Sequence, residues 1–209
     1  LGASAGVNTM IERYFYRLGD TEVGPTGSPM RITPEWRGDG SPPEPAEGFA
    51  ITGVRGCDVA PIDLADPDKA LRLKAYVWPD SFERMARIDA AISLARADPP
   101  DLVQMDAGEF VAERLATPQA ENTTRTMFHS IMWQYMPAAT QAKIADLMEQ
   151  AGAAATIDRP LAWIALETNP ATFRHELRVR YWPSGGSSAP MLLAHAHPHG
   201  AWVEWAAPA

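Results

Sequence analysis

Chemistry in this chain begins at Gly2-Ala3-Ser4-Ala5-Gly6, followed by Val7-Asn8. A run of residues with no Cβ or a small side chain lets a backbone turn sharply out of a strand and approach a ligand closely. Residues 9–14 then read as the opening of a helix, whose first N–H groups face whatever the turn holds. The same five residues satisfy G-x-S-x-G, the turn that exposes a nucleophilic serine, and the chain order Ser4, Glu167, His199 matches an α/β-hydrolase triad. A hydrolase places that turn late in its sheet, whereas five strand-like stretches follow Ser4 here. His195-Ala196-His197-Pro198-His199 is a third constellation. On an extended strand, alternation puts its three imidazoles on one face, a pattern that suits Zn²⁺. No matching carboxylate accompanies them and Pro198 confines the segment to an edge, so no metal site is assigned. His197 or His199 would serve in a crevice as acid or base, because imidazole titrates near neutral pH. Cys57 reads as a buried filler: no His or Lys lies near it in sequence to lower its pKa.

These residues need elements to hold them, and 209 residues with 46% hydrophobic content can build a substantial core. A net charge of −8 argues against general affinity for nucleic-acid phosphates or anionic membranes. A single cysteine excludes an internal disulfide framework and fits a reducing, cytoplasmic compartment. No apolar run reaches the length of a membrane span. A loop like the first one requires a strand before it, yet only Leu1 precedes it and the chain does not begin with Met. The expectation is one domain over residues 1–209, a fragment lacking its first strand.

Residues 18–48 are crowded with Gly and Pro and read as an ordered insertion, with Met30-Arg31-Ile32-Thr33 as a short edge strand. Residues 49–58 read as a buried strand ending at Asp58. Residues 67–97 show two helical patterns broken at Trp78-Pro79-Asp80, the second capped by Asp80 or Ser81. A third strand, residues 101–107, closes on Asp106, and a helix follows to Leu115. Residues 123–130 form a fourth strand, a helix starting at Pro137 stops at Gly152, and residues 160–167 form a fifth strand. Alternation over residues 176–182, a Ser/Gly connection at residues 184–188 and a strand-like stretch over residues 191–205 give a terminal hairpin. Strand and helix alternating in this way predict an α/β fold: a doubly wound, mostly parallel sheet with a C-terminal antiparallel pair and a crevice at the strands' carboxyl ends.

With the small-residue loop after the first strand, Asp58 after the second and Asp106 after the third, the chain resembles the class I S-adenosylmethionine-dependent methyltransferases. Gly53-Val54-Arg55-Gly56-Cys57-Asp58-Val59-Ala60-Pro61 is similar to that family's second-strand pattern, and Gln104-Met105-Asp106-Ala107 to its third. The stretch His129-Ser130 to Pro137 with its following helix is similar to the fourth motif. The usual glycine triplet is weakened here, and the gap from Gly6 to Asp58 is long. More narrowly, Trp36-Arg37-Gly38, Gly56-Cys57-Asp58, Tyr76-Val77-Trp78-Pro79-Asp80 and His197-Pro198-His199-Gly200-Ala201-Trp202 resemble an uncharacterised bacterial family, a domain of unknown function. That narrower resemblance transfers a fold and no reaction.

The methyltransferase resemblance implies S-adenosylmethionine as cofactor, with Gly2, Ala3, Ser4 and Gly6 around its methionine portion, Asp58 on the ribose hydroxyls, and Asp106 with Ala107 at the adenine. Each aspartate has a structural alternative as a cap of the following segment. His129 and His199 are the candidate bases, and Trp133 and Tyr135, just past the fourth strand, either line the acceptor site or pack in the core. The acceptor is not named. A non-catalytic ligand-binding or regulatory module on the same fold is the alternative.

Overall fold

The computed structural model describes residues 1–38, 40–42, 46–183 and 189–206. The connection expected at residues 184–188 lies outside them. The chain divides into two compact units, one of Leu1–Gly2, Trp36–Gly40 and Met105–Ala209, the other of Ala3–Glu35 and Ser41–Gln104.

In the second of these, two single 3₁₀ turns, Val7–Thr9 and Ile11–Arg13, stand where a helix was expected. Strands β1 (Phe15–Leu18), β2 (Thr21–Val23) and β3 (Arg31–Ile32) then make a small sheet in the order β2-β1-β3. The short edge strand expected at Met30 to Thr33 is β3, lying parallel to β1. After β4 (Glu35–Arg37) comes β5 (Gly56–Asp58), shorter than the strand expected there because only its last residues find a partner. That partner is β6 (Leu102–Gln104), parallel to it. Between them run α1 (Pro67–Lys74) and α2 (Phe82–Ala97), separated at the expected Trp-Pro-Asp break. Asp66 caps α1 through the N–H groups of Asp68 and Lys69, and Pro67 sits where a helix needs no N–H donor. Apolar faces of both helices meet Met10, Tyr14, Met30 and Leu64 in one core.

The other unit contains α3 (Ala107–Ala116), β7 (Arg125–Ser130), α4 (Ala138–Ala153), β8 (Leu161–Thr168), β9 (His175–Trp182), β10 (Met191–Ala196) and β11 (Trp202–Trp205). Its sheet has six strands in the order β4-β11-β10-β9-β8-β7. Helix α4 carries the chain from β7 to a parallel β8, while β8, β9, β10 and β11 pair antiparallel in succession. On one sheet face α4 lies so close that a Cβ on Gly152 would come within 2.5 Å of the Trp182 indole. Gly152 is therefore a contact residue within α4, which ends at Ala153.

The doubly wound parallel sheet is not found. The described residues form three sheets, of three, six and two strands, and the largest is predominantly antiparallel. The physical reason lies in the connections: the four α-helices of the described residues are too few to cross over between all the strands, and a parallel neighbour requires a crossover of a dozen residues or more. From β8 onward the strands follow one another too closely in the chain for such a crossover, so each folds back on the last.

Candidate functional site

At the carboxyl end of β5, Asp58 accepts a hydrogen bond at Oδ2 from the Ser4 N–H (2.8 Å) and one at Oδ1 from the Ala60 N–H (2.9 Å). Ser4 is exposed and left-handed at φ 49°, a conformation that costs a non-glycine residue energy and persists only where the surroundings enforce it. The Ala3 N–H donates to the Cys57 carbonyl and the Ile62 N–H to the Ser4 carbonyl, so the turn is fastened on both sides. Small residues are needed here for packing as well. Gly6 has φ 73°, and a Cβ on it would fall 2.7 Å from Pro100, while one on Gly56 would meet the Ala3 methyl at 2.8 Å. Cys57 is buried beneath them, as expected of a filler.

The other unit holds a second constellation, at the carboxyl ends of β7 and β8. His129, with a side chain only 1% exposed, pairs through Nδ1 with Glu167 Oε1 at 2.7 Å and accepts at Nε2 from the Trp163 indole N–H at 2.9 Å. With Nε2 accepting from the indole, Nδ1 is the nitrogen that donates to Glu167. Both ring nitrogens of His129 are therefore engaged within this unit. Trp133 stacks on the imidazole with centroids 4.9 Å apart, and Trp163 closes the group at 5.3 Å from Trp133.

Glu167 is the hub. Its Oε1 also accepts from the N–H groups of Met132 (3.1 Å) and Trp133 (3.2 Å). Burial works to raise this carboxyl, but the bonds from His129, Met132 and Trp133 together outweigh it and leave the group below its ordinary value. Those two N–H groups are aimed by Ile131, held at φ 50°, a rare conformation for a β-branched residue. Across the sheet Glu167 faces Glu176 on β9, whose carboxylate receives the Asn169 amide (2.9 Å) and Arg178 Nε (2.7 Å). Burial again opposes ionisation, and Asn169, Arg178 and the neighbouring His195 hold Glu176 below the usual range.

The remaining sequence candidates separate. Ala3, Ser4, Gly6 and Asp58 share one unit; Gly2, Asp106, Ala107, His129, Trp133, Tyr135 and His199 belong to the other. Asp106 caps α3, accepting from Gly108 and Glu109, with Ala107 buried as the helix's first residue. Tyr135 is 77% exposed. The three histidines do not share a strand face. β10 ends at Ala196, and His197 and His199 sit in the turn before β11, where the Gly200 N–H closes onto the His197 carbonyl. Among the described residues no group of three or more His, Cys, Asp or Glu side chains is placed to hold a metal ion.

Comparison with known proteins adds a family. Residues 1–205 match the model of an uncharacterized protein family conserved in bacteria, DUF2332. The chain belongs to this family. No curated protein and no solved structure matches it. Membership in DUF2332 agrees with the narrower resemblance read from the Trp36, Cys57, Tyr76 and His197 motifs, and assigns no reaction. Among the described residues of this DUF2332 chain, no helix is long and apolar enough to cross a membrane.

Two parts of these sites escape a reading of the sequence. Ile131 has no composition signal, because left-handed backbone is expected of Gly or Asn. The Trp163 and Glu167 pair does have one: on a strand, residues four apart share a face, and both face the strand that carries His129.

Proposed function

We propose that the DUF2332 chain binds S-adenosylmethionine at the Ser4–Asp58 turn and transfers its methyl group to an acceptor. One observation carries the reading: Asp58 ends a parallel strand pair with its carboxylate tied to a left-handed, small-residue turn. The donor set fits a nucleoside. Each Asp58 oxygen accepts one backbone N–H and retains a lone pair for a ribose hydroxyl. The backbone from Ala3 to Gly6 would face the rest of the cofactor. Such a group supplies a methyl already activated on sulfonium sulfur, so the protein's task is to orient the acceptor and exclude water. That demand is met without a dedicated base when the acceptor is nucleophilic at neutral pH, and it agrees with the engagement of both His129 nitrogens.

Calorimetric titration of S-adenosylmethionine and S-adenosylhomocysteine tests the proposal. Saturable binding is expected, weakened at least about 10-fold in Asp58→Ala with the fold intact by circular dichroism. Absence of saturable binding up to about 1 mM overturns it. Cofactor binding with no methyl transfer to any acceptor class would favour a regulatory module.

A second reading has one observation behind it. Ser4 is exposed with positive φ, the conformation of a nucleophilic serine turn. All five histidines lie in the other unit, and covalent labelling of Ser4 by a fluorophosphonate would favour this reading.

A further inference from the structure

One face of the six-stranded sheet carries an unusual row. Cross-strand partners share a face, so His129 on β7, Ala165 on β8 and Arg178 on β9 stand side by side, with Trp163 and Glu167 flanking Ala165 along β8. Helix α4 covers the Trp182 end of this face, where Glu149 pairs with Arg180 and Gly152 meets the Trp182 ring. Farther along, cover is incomplete: Ala165, in the middle of a central strand, remains partly exposed. A methyl side chain between larger neighbours leaves a notch, with the bonded Trp163–His129–Glu167 group toward β7 and Arg178 on β9 at its other side.

The two charged walls are each half used. Glu167 Oε1 is saturated by three N–H donors, whereas its Oε2 has no partner among the described residues. Arg178 gives Nε to Glu176 and leaves both terminal nitrogens unengaged among the described residues, on a side chain 40% exposed. A free carboxylate oxygen and a free guanidinium fork thus flank one notch without pairing with each other, because His129 and Glu176 hold them apart. Both are fixed by bonds to buried groups, so a ligand joining them meets a pre-ordered site.

We propose that this notch binds a zwitterionic α-amino acid. The ammonium sits on Glu167 Oε2 beside the Trp133 and Trp163 rings, which favour a cation. The carboxylate lies on the terminal nitrogens of Arg178 in the two-pronged geometry that guanidinium offers. Glu167 and Arg178 are diagonal neighbours on adjacent strands, so one small ligand can reach both side chains. The site lies wholly within one unit and stands independently of the Ser4–Asp58 proposal, which concerns residues of the other.

The test is calorimetric titration of the common L-amino acids into the full chain, each compared with its decarboxylated amine and its des-amino acid. At least one amino acid is expected to bind saturably, at least about 10-fold more tightly than either single-charge analogue. Glu167→Gln keeps an acceptor for the three N–H donors while removing the charge, and Arg178→Gln removes the fork; each should weaken binding about 10-fold or more with circular dichroism unchanged. Failure of every amino acid to bind at about 10 mM overturns the proposal. So does binding that persists in both variants, or that an analogue with one charge matches.

Discussion

His129 is a residue whose type suggests catalysis and whose two ring nitrogens both find partners inside the fold. Its Nε2 accepts the Trp163 indole N–H and its Nδ1 pairs with Glu167. The residue that gains importance is Glu167, whose single oxygen organises a ring and two peptide N–H groups. Truncating it leaves three donors short of an acceptor, two beside the strained Ile131 and one in a nearly inaccessible imidazole. Glu167→Ala is therefore expected to cost about 2–4 kcal/mol, the cost per buried unpaired donor being reduced by water entering at the partly open end. Glu167→Gln, which retains an acceptor oxygen, should lose less than half as much. Urea unfolding of the two variants measures the difference, and equal losses would show that charge rather than hydrogen bonding is what Glu167 supplies.

At the scale of elements, α4 is held by fit more than by its own propensity. Gly152→Ala would ordinarily help a helix by about 1 kcal/mol. Here the added carbon falls 2.5 Å from the Trp182 ring, a buried side chain backed by the sheet, and Arg180 lies over the same indole. Overpacking of this kind costs about 1–3 kcal/mol, so the substitution should destabilise on balance, read as a lower melting temperature. That close approach also marks what the sequence conceals. Gly152 has the composition of a helix stop, and only the distant Trp182 makes it a contact residue. Helices α1, α2 and α4 were legible because their apolar spacing, Pro67, Pro137 and the Trp78-Pro79-Asp80 break are local signals. Strand direction is not local. Residues 176–182 alternate in the same way whether β9 runs parallel or antiparallel to β8, and the choice follows from a linker too short for a crossover. Asp58 and Asp106 looked equivalent at strand ends, and tertiary context separates them: one binds a turn 54 residues away, the other caps the next helix. The Glu167 hub draws on donors 34 to 38 residues distant, beyond the reach of any local pattern.

Across the molecule, the excess of acidic residues sets how the fold responds to acid. At pH 7 the formal charge is −8, and the sequence pI of about 5.1 means that mild acidification first reduces self-repulsion. Glu167 and Glu176 act in the opposite sense at lower pH. Both carboxyls titrate below their ordinary value of 4.5 in the folded chain, so their contribution is complete above that value and is lost as pH falls through the lowered folded values. The urea midpoint is thus expected to stay nearly level from about pH 7 to about pH 5, then to fall steeply below pH 4.5. In Glu167→Gln and Glu176→Gln the midpoint starts lower, since each loses charge-assisted bonds, but its fall in acid is shallower because one proton-linked group is gone. A variant whose acid limb stayed as steep as that of the parent chain would assign the acid sensitivity to the summed charge of the molecule, which these single substitutions barely alter.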